Sequence, residues 1–207
     1  MDIRQIEQFF KIMDAELGQD AKAILTGAAA GTIWGATRPS MDIDFAIEIK
    51  NQSDANWQQL ESAIRKAIDK TGIQANYAED IDRWGMITLL DYKSNIKLYK
   101  KYGKLALMVL DPAYWSIGKM TRFIDPDIQD MIQVFRKKKS SPTRLAEVWG
   151  KALNESPRST TLTRFRRQVE SFFESYGTKI WGQKFSSSKA IRQFHKSAGI
   201  VYDEYRD

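Results

Sequence analysis

The chain has 207 residues, 43% of them hydrophobic, with no cysteine and a formal net charge of +6. A chain of this length and apolar content can bury one good core, which excludes a disordered chain and a small disulfide scaffold. Because cysteine is absent, thiolate metal sites, redox pairs and disulfides are excluded too, and the fold must be held by packing.

The start of the chain lacks the basic residues and apolar block of a signal peptide. No run approaches the roughly 18 apolar residues of a membrane helix. We therefore expect a cytoplasmic protein with no membrane association.

Hydrophobic spacing predicts both helices and strands as far as Asp111, followed by helices alone. The predicted elements in chain order are a helix at 3–17, a strand at 22–26, a helix at 28–35, a strand at 43–49, a helix at 57–68, and strands at 73–77, 86–92 and 105–110. A polar stretch at 93–104 joins the last two strands. Helices then follow near 112–118, 126–139, 143–154, 161–176 and 187–199. The Lys/Ser/Pro-rich stretch at 137–142 predicts a boundary between a domain at 1–140 and a helical C-terminal region at 141–207.

Basic residues are concentrated in the last third of the chain. Residues 136–207 contain 16 Lys/Arg against 7 Asp/Glu, whereas residues 1–135 contain 16 against 19. A clustered positive field favours a polyanionic partner such as RNA or a nucleotide. The alternative is an ordinary solvated basic helical surface.

Asp42 and Asp44 lie at the start of a predicted strand, where side chains two residues apart project from the same face. Two carboxylates this close repel one another unless a cation lies between them, and Mg²⁺ prefers such oxygen ligands. The alternative is a solvated strand start with no ligand.

Upstream, Leu25-Thr26-Gly27-Ala28 carries a strand into a helix through a glycine. Such a turn lets a phosphate approach the N–H groups at the helix start, although a lone glycine is more often a simple tight turn.

Together, Leu25-Thr26-Gly27-Ala28 and the later Arg38-Pro39-Ser40-Met41-Asp42-Ile43-Asp44 resemble the signature of the nucleotidyltransferase superfamily, with its DNA polymerase beta-like fold. Downstream, Lys119, Arg122 and Asp127-Ile-Gln-Asp130 resemble a helical motif of AbiEii-type toxins and related bacterial nucleotidyltransferases. The resemblance covers roughly residues 20 to 135. It implies an α/β (α+β) fold with a central mixed β-sheet flanked by helices, plus the helical C-terminal region.

The resemblance also implies a metal site holding Mg²⁺ or Mn²⁺ with a nucleoside triphosphate. Asp42 and Asp44 would be catalytic metal ligands, and a third carboxylate would lie on a neighbouring central strand. Asp91 is the candidate for this third carboxylate, as ligand or general base, and Glu48 and Asp111 are its rivals.

Other residues receive nucleotide-binding roles from the same resemblance. Gly27 and Ala28 would form the phosphate-cradling turn, although Ala28 lacks the hydroxyl more usual in the family. Lys119 would neutralise triphosphate charge as a catalytic cation, and Asp127 would also serve the nucleotide site. Lys119 and Asp127 also have a simpler interpretation, in which they stabilise helix termini and pair with each other.

Three further parts of the sequence carry candidate residues. Arg38 and Ser40 could contact substrate, or Ser40 could make a local turn hydrogen bond. In Arg164-Phe165-Arg166-Arg167 the phenylalanine belongs to an apolar helical stripe, which leaves only the arginines for phosphate. His195, the single histidine, supports neither zinc nor a catalytic triad, and we expect it on the surface.

The predicted reaction is transfer of a nucleoside monophosphate to a hydroxyl of RNA (tRNA in particular), a protein or a small molecule. The resemblance to AbiEii-type proteins implies a toxin with an antitoxin partner. Two alternatives stay open. One is a non-catalytic nucleotide- or nucleic-acid-binding relative, and the other is a partner-binding module in which Asp42 and Asp44 cap or pair.

Overall fold

The computed structural model describes residues 1–200, which form two compact units. The first, the sheet unit, comprises Met1–Ile81 and Lys93–Asp111. The second, the helical unit, comprises Asp82–Tyr92 and the chain from Pro112 onward. The helices between residues 112 and 138, which the sequence assigned to the sheet domain, belong to the helical unit.

Eight α-helices and seven β-strands are formed within the described residues. In chain order they are α1 (Ile3–Glu16), β1 (Ala21–Leu25), α2 (Gly27–Trp34), β2 (Asp42–Ile49), α3 (Asp54–Thr71), β3 (Gln74–Ala78), β4 (Arg83–Trp84), β5 (Ile87–Thr88), β6 (Ile96–Lys101), β7 (Leu105–Leu110), α4 (Pro112–Arg122), α5 (Asp125–Lys138), α6 (Pro142–Asn154), α7 (Thr160–Trp181) and α8 (Ser187–Ser197). None of these helices has the length and apolar content needed to cross a membrane.

The sheet unit is built on a five-stranded sheet in the order β3-β2-β1-β7-β6. β1 runs antiparallel to β2 and parallel to β7, while β2 and β3 are parallel and β6 and β7 antiparallel. The predicted α/β class with a mixed sheet flanked by helices is therefore confirmed.

Apolar residues of α1 anchor the sheet unit. Phe9 and Phe10 are fully buried, and the ring of Phe10 meets that of Phe45 on β2 edge-on at 5.4 Å.

At the C-terminal end of α1, the Asp14 carboxylate accepts hydrogen bonds from the backbone N–H groups of residues 103–105. This carboxylate satisfies the donors of the β6–β7 turn, which would otherwise be left to solvent.

Two predictions for residues 86–104 are wrong. The expected strand at 86–92 shrinks to Ile87–Thr88, paired with Arg83–Trp84 in the helical unit. Its apolar residues, such as Leu89 and Tyr92, are buried without continuing a strand. Conversely, the polar stretch contains β6, an edge strand whose lysines reach solvent, so it lacks the apolar alternation that marks a half-buried strand.

The core of the helical unit is aromatic. Trp149 lies at its centre, with ring centroids 6.1 Å from Phe135, 5.8 Å from Phe172 and 5.4 Å from Phe173. The Trp149 indole N–H donates to the hydroxyl of Ser116 at 3.0 Å, so its polar atom is satisfied inside the core. Phe165 is buried as predicted, on the same helix as Phe172.

Candidate functional site

Asp42 is the first residue of β2 and Asp44 is the third, and both residues are partly exposed. β3 runs beside them in a register that sets Asn76 directly next to Asp44. The Asn76 amide nitrogen donates to Asp42 Oδ2 at 3.1 Å and to Asp44 Oδ1 at 3.0 Å. The two carboxylates thus converge on one point at an open end of the sheet, and we call these three residues the carboxylate cluster.

Ser40 orients the first carboxylate. Its side chain is buried, and its hydroxyl lies 2.8 Å from the Asp42 carbonyl oxygen and 3.1 Å from Asp42 Oδ1. The contacts of the Ser40 hydroxyl are therefore local ones, made to a residue of the cluster. Arg38 lies two residues earlier in the same loop and is partly exposed.

The turn between β1 and α2 packs against the second carboxylate. Gly27, the first residue of α2, has φ +54°, and a Cβ placed on it would lie 2.0 Å from Asp44 Oδ2. The N–H of Thr26 donates to the Asp44 carbonyl at 2.9 Å, which fixes the turn to β2. Glycine is needed at this position for both its backbone conformation and the space it leaves. Ala28 is the next residue of the helix and is partly exposed.

The carboxylate oxygens of the cluster are ligands that could hold a magnesium ion. Mg²⁺ is commonly held by one or two carboxylates, with waters and substrate phosphates completing its octahedral shell. Asp42 and Asp44 supply the two carboxylates, while Asn76 turns its amide nitrogen toward them. Within residues 1–200 no group of three or more His, Cys, Asp or Glu residues is arranged to hold a metal ion. A cation here would therefore depend on a phosphate ligand for much of its coordination.

The two rival carboxylates of the sheet unit have basic neighbours of their own. Glu48 lies four residues further along β2, where Lys22 approaches it at 2.9 Å and Lys93 at 3.2 Å. Burial raises the pKa of Glu48, but hydrogen bonds from these two lysines outweigh it and hold the pKa below its ordinary value. Asp111 follows the end of β7, with Lys97 Nζ at 3.8 Å.

Asp91 belongs to the helical unit. It is exposed and has φ +50°, in the turn after β5, and it lies outside the five-stranded sheet. The expectation that Asp91 stands on a central strand is wrong, because the apolar residues around it are buried in a turn-rich segment.

Lys119 and Asp127 form a buried ion network in the helical unit. Lys119 is 2% exposed, and its ammonium lies 2.9 Å from both Asp127 Oδ1 and Asp130 Oδ2. Arg122 adds two hydrogen bonds to Asp127. Two carboxylates of α5 therefore neutralise the charge of Lys119 on α4. This is the geometry of the simpler interpretation, in which Lys119 and Asp127 pair with each other.

The expectation for His195 is wrong. The side chain is only 3% exposed, because α8 packs its ring toward α7, and the imidazole Nε2 lies 2.5 Å from Glu170 Oε1. Arg166 Nε reaches the same carboxylate oxygen at 2.7 Å. The absence of other histidines and cysteines from the sequence gave no indication of whether His195 is buried.

Sequence reasoning missed Asn76. An asparagine on an exposed edge strand carries no charge and no motif, and only the β2–β3 register brings it beside the aspartates. The signal that could have found it is its alternation with Gln74 on one face of a strand predicted next to the Asp42 strand.

Comparison of the chain with models of protein families, with curated proteins and with solved structures found no match.

Proposed function

We propose that this protein is a Mg²⁺-dependent nucleotidyltransferase with a nucleotidyltransferase-type fold, which moves a nucleoside monophosphate from a nucleoside triphosphate to a hydroxyl group. The observation that carries the proposal is the convergence of Asp42 and Asp44 on one amide nitrogen, at an open sheet end and against the Gly27 turn. Two carboxylates, a glycine turn at a helix start and solvent access are what binding of a metal–triphosphate complex requires.

In the proposed reaction, the acceptor oxygen forms a bond to the α-phosphorus while the bond from that phosphorus to the bridging oxygen of pyrophosphate breaks. Pyrophosphate leaves with the bonding electrons, and the hydroxyl proton passes to water. Mg²⁺, when bound, neutralises the charge of the phosphates.

In this proposal, the side chains and backbone of the protein hold the cation and position the triphosphate. Asp42 and Asp44 bind the cation, while Ser40 and Asn76 fix the orientation of their carboxylates through the observed hydrogen bonds. The N–H groups at the start of α2, beyond Gly27, face the phosphates, and Arg38 contributes positive charge from the neighbouring loop.

An RNA acceptor, tRNA in particular, accords with the basic C-terminal third of the chain. By the resemblance to AbiEii-type toxins, we further propose a toxin restrained by an antitoxin protein. The reaction class does not depend on this assignment.

The test compares three proteins: wild type, an Asp42→Ala/Asp44→Ala variant, and a Glu61→Ala/Asp69→Ala control that removes two exposed acids of α3 in the same unit. Each is incubated with one α-labelled NTP at a time, Mg²⁺ and total RNA. We expect label transfer from the wild type and the control, and a loss of about 100-fold or more in the Asp42/Asp44 variant. No transfer by the wild type with any NTP, together with no NTP binding by calorimetry, would favour the partner-binding module.

One observation favours a second candidate, a non-catalytic nucleotide-binding protein of the same fold. The third side chain at the cluster is the amide of Asn76, and within residues 1–200 no third carboxylate joins Asp42 and Asp44, whereas the family resemblance implies one. Ala28 also lacks the usual hydroxyl. Magnesium-dependent NTP binding by calorimetry, without transfer to any acceptor, would select this candidate.

A further inference from the structure

A groove in the helical unit is lined by a polar stripe of α7. The cavity has a volume of about 500 Å³, and its lining includes Phe123, Thr160, Thr163, Arg164, Arg167 and Ser171. The five α7 residues recur at spacings of three and four, so they occupy one helix face. We call this cavity the arginine groove.

The groove offers hydrogen-bond donors without acidic neighbours. Its lining contains two guanidinium groups and three hydroxyls but no carboxylate. Two nearby arginines are already paired, Arg166 with Glu170 at 2.7 Å and Arg122 with Asp127. Among the described residues, no carboxylate lies within ion-pair distance of Arg164 or Arg167. The positive charge of the groove is therefore available to a ligand.

Arg164 is positioned by the groove floor. Gln168 is 9% exposed and, with its amide oriented to satisfy both neighbours, donates to the Met120 carbonyl at 3.1 Å and accepts from Arg164 Nε at 3.3 Å. One of five guanidinium N–H donors is used in this way, which leaves the terminal fork for a ligand. A fork held by one buried amide loses little freedom when it binds a phosphate.

Phe123 brings an aromatic ring to the groove from the α4–α5 connection. It is partly exposed, and its backbone has φ +53°, the left-handed conformation with which α4 ends. A partly exposed ring beside arginines is the combination on which nucleobases stack.

We propose that the arginine groove binds the phosphodiester backbone of a nucleic-acid strand, with RNA as the partner. The stripe from Thr160 to Ser171 extends over about 16 Å of helix, which is longer than one phosphate group and fits a polymer. Arginine forks match phosphate oxygens in pairs, and the threonine and serine hydroxyls can bond both phosphate and ribose. The inference rests on the proposed function in that it gives the RNA partner a docking surface.

The test measures binding without NTP or Mg²⁺, so that a failure of the groove is distinguishable from a failure of catalysis. A fluorescein-labelled 20-nucleotide RNA and the DNA of the same sequence are titrated with protein at several KCl concentrations, and anisotropy is recorded. The variant is Arg164→Gln/Arg167→Gln. The matched control is Lys189→Gln/Arg192→Gln, which removes two exposed charges of α8 in the same unit.

We expect the groove variant to weaken RNA binding about tenfold or more and to lower the salt slope by about 2, while the control changes affinity by about twofold or less. An Arg164→Lys/Arg167→Lys variant should recover only part of the affinity, because lysine keeps the charge but loses the fork. Equal losses in the groove variant and the control, or no RNA binding by the wild type at low salt, would overturn the proposal. Equal affinity for RNA and DNA would assign recognition to the phosphodiester backbone, and tighter RNA binding would add the ribose hydroxyl.

Discussion

At the scale of single residues, Gly27 is the most constrained position of the candidate site. A side chain there would meet a left-handed backbone angle and a carboxylate oxygen at once. Gly72, at the end of α3, has a similar angle of +69° but no atom within 4 Å of an added Cβ. Substitution at Gly72 therefore tests backbone strain alone, whereas substitution at Gly27 tests backbone strain together with steric overlap.

Gly72→Ala should cost about 1–2 kcal/mol of unfolding free energy, the usual penalty for a left-handed non-glycine residue. Gly27→Ala should cost at least about 1 kcal/mol more, because the new methyl group must also displace Asp44. Urea denaturation of the two variants measures both values. Equal losses would mean that the β1–α2 turn yields without disturbing the carboxylate.

Asn76 lends itself to a gain-of-affinity experiment. Asn76→Asp places a third carboxylate beside Asp44, so we expect Mg²⁺ affinity to rise about tenfold and the thermal stabilisation by Mg²⁺ to increase with it. Gln52→Glu, in the exposed β2–α3 loop, adds the same charge away from the cluster and should leave affinity unchanged. Melting temperatures recorded over a Mg²⁺ titration provide the readout, and identical Mg²⁺ responses of both variants would argue against cation binding at the cluster.

The contrast between Asn76 and the aspartates explains how much of the site the sequence could reveal. Asp42 and Asp44 were found because the two-residue period of a strand places them on one face without knowledge of the rest of the fold. Asn76 was not found, because its position depends on pairing between strands separated by a long helix. The position of Ser40 was found, but its contact with the Asp42 carboxylate was not.

At the scale of elements, strongly periodic segments were predicted well and edge segments were not. Helices α1 and α3 and strand β2 were predicted close to their observed bounds because each buries one regular apolar face. β6 was not predicted, because an edge strand with several lysines has no such apolar face. The strand predicted at residues 86–92 was too long, because apolar residues buried in turns resemble those of a strand.

The α7–α8 pair is predicted to have an acid-sensitive contact. Burial raises the pKa of Glu170, but hydrogen bonds from Arg166 and His195 outweigh burial, so the pKa lies below the ordinary value of 4.5. A depressed carboxyl pKa contributes stability that is present above about pH 4.5 and is lost as pH falls through the folded-state pKa. Glu170→Gln should therefore lower the unfolding free energy by about 1–2 kcal/mol at pH 7 and by much less at pH 3.

Urea denaturation between pH 3 and pH 7 measures this effect. Glu174→Gln, an exposed position on the same helix, is the matched control and should change stability by less than about 0.5 kcal/mol at either pH. A Glu170→Gln loss that does not vary with pH would point to packing rather than charge as the origin of the contact.

At the scale of the whole molecule, the two candidate sites lie in different units of the chain. The carboxylate cluster lies in the sheet unit and the arginine groove in the helical unit, in keeping with the excess of basic residues after Arg136. Composition alone located the basic region, since net charge needs no knowledge of the fold. The motif Arg164-Phe165-Arg166-Arg167 indicated three arginines, and only the fold separates Arg166, which pairs with Glu170, from the other two.

The placement of residues 82–92 has a consequence for how such a protein could arise or be divided. The hairpin of β4 and β5 belongs to the helical unit, yet in the chain it lies between the two segments of the sheet unit. The Thr88 N–H donates to the Ser156 hydroxyl at 2.9 Å, and the Trp84 indole packs on Gly118. A single division of the chain after Asp111 would therefore separate this hairpin from the helical unit with which it packs. The chain passes between the two units three times, after Ile81, Tyr92 and Asp111, so replacing the whole helical unit would require three junctions.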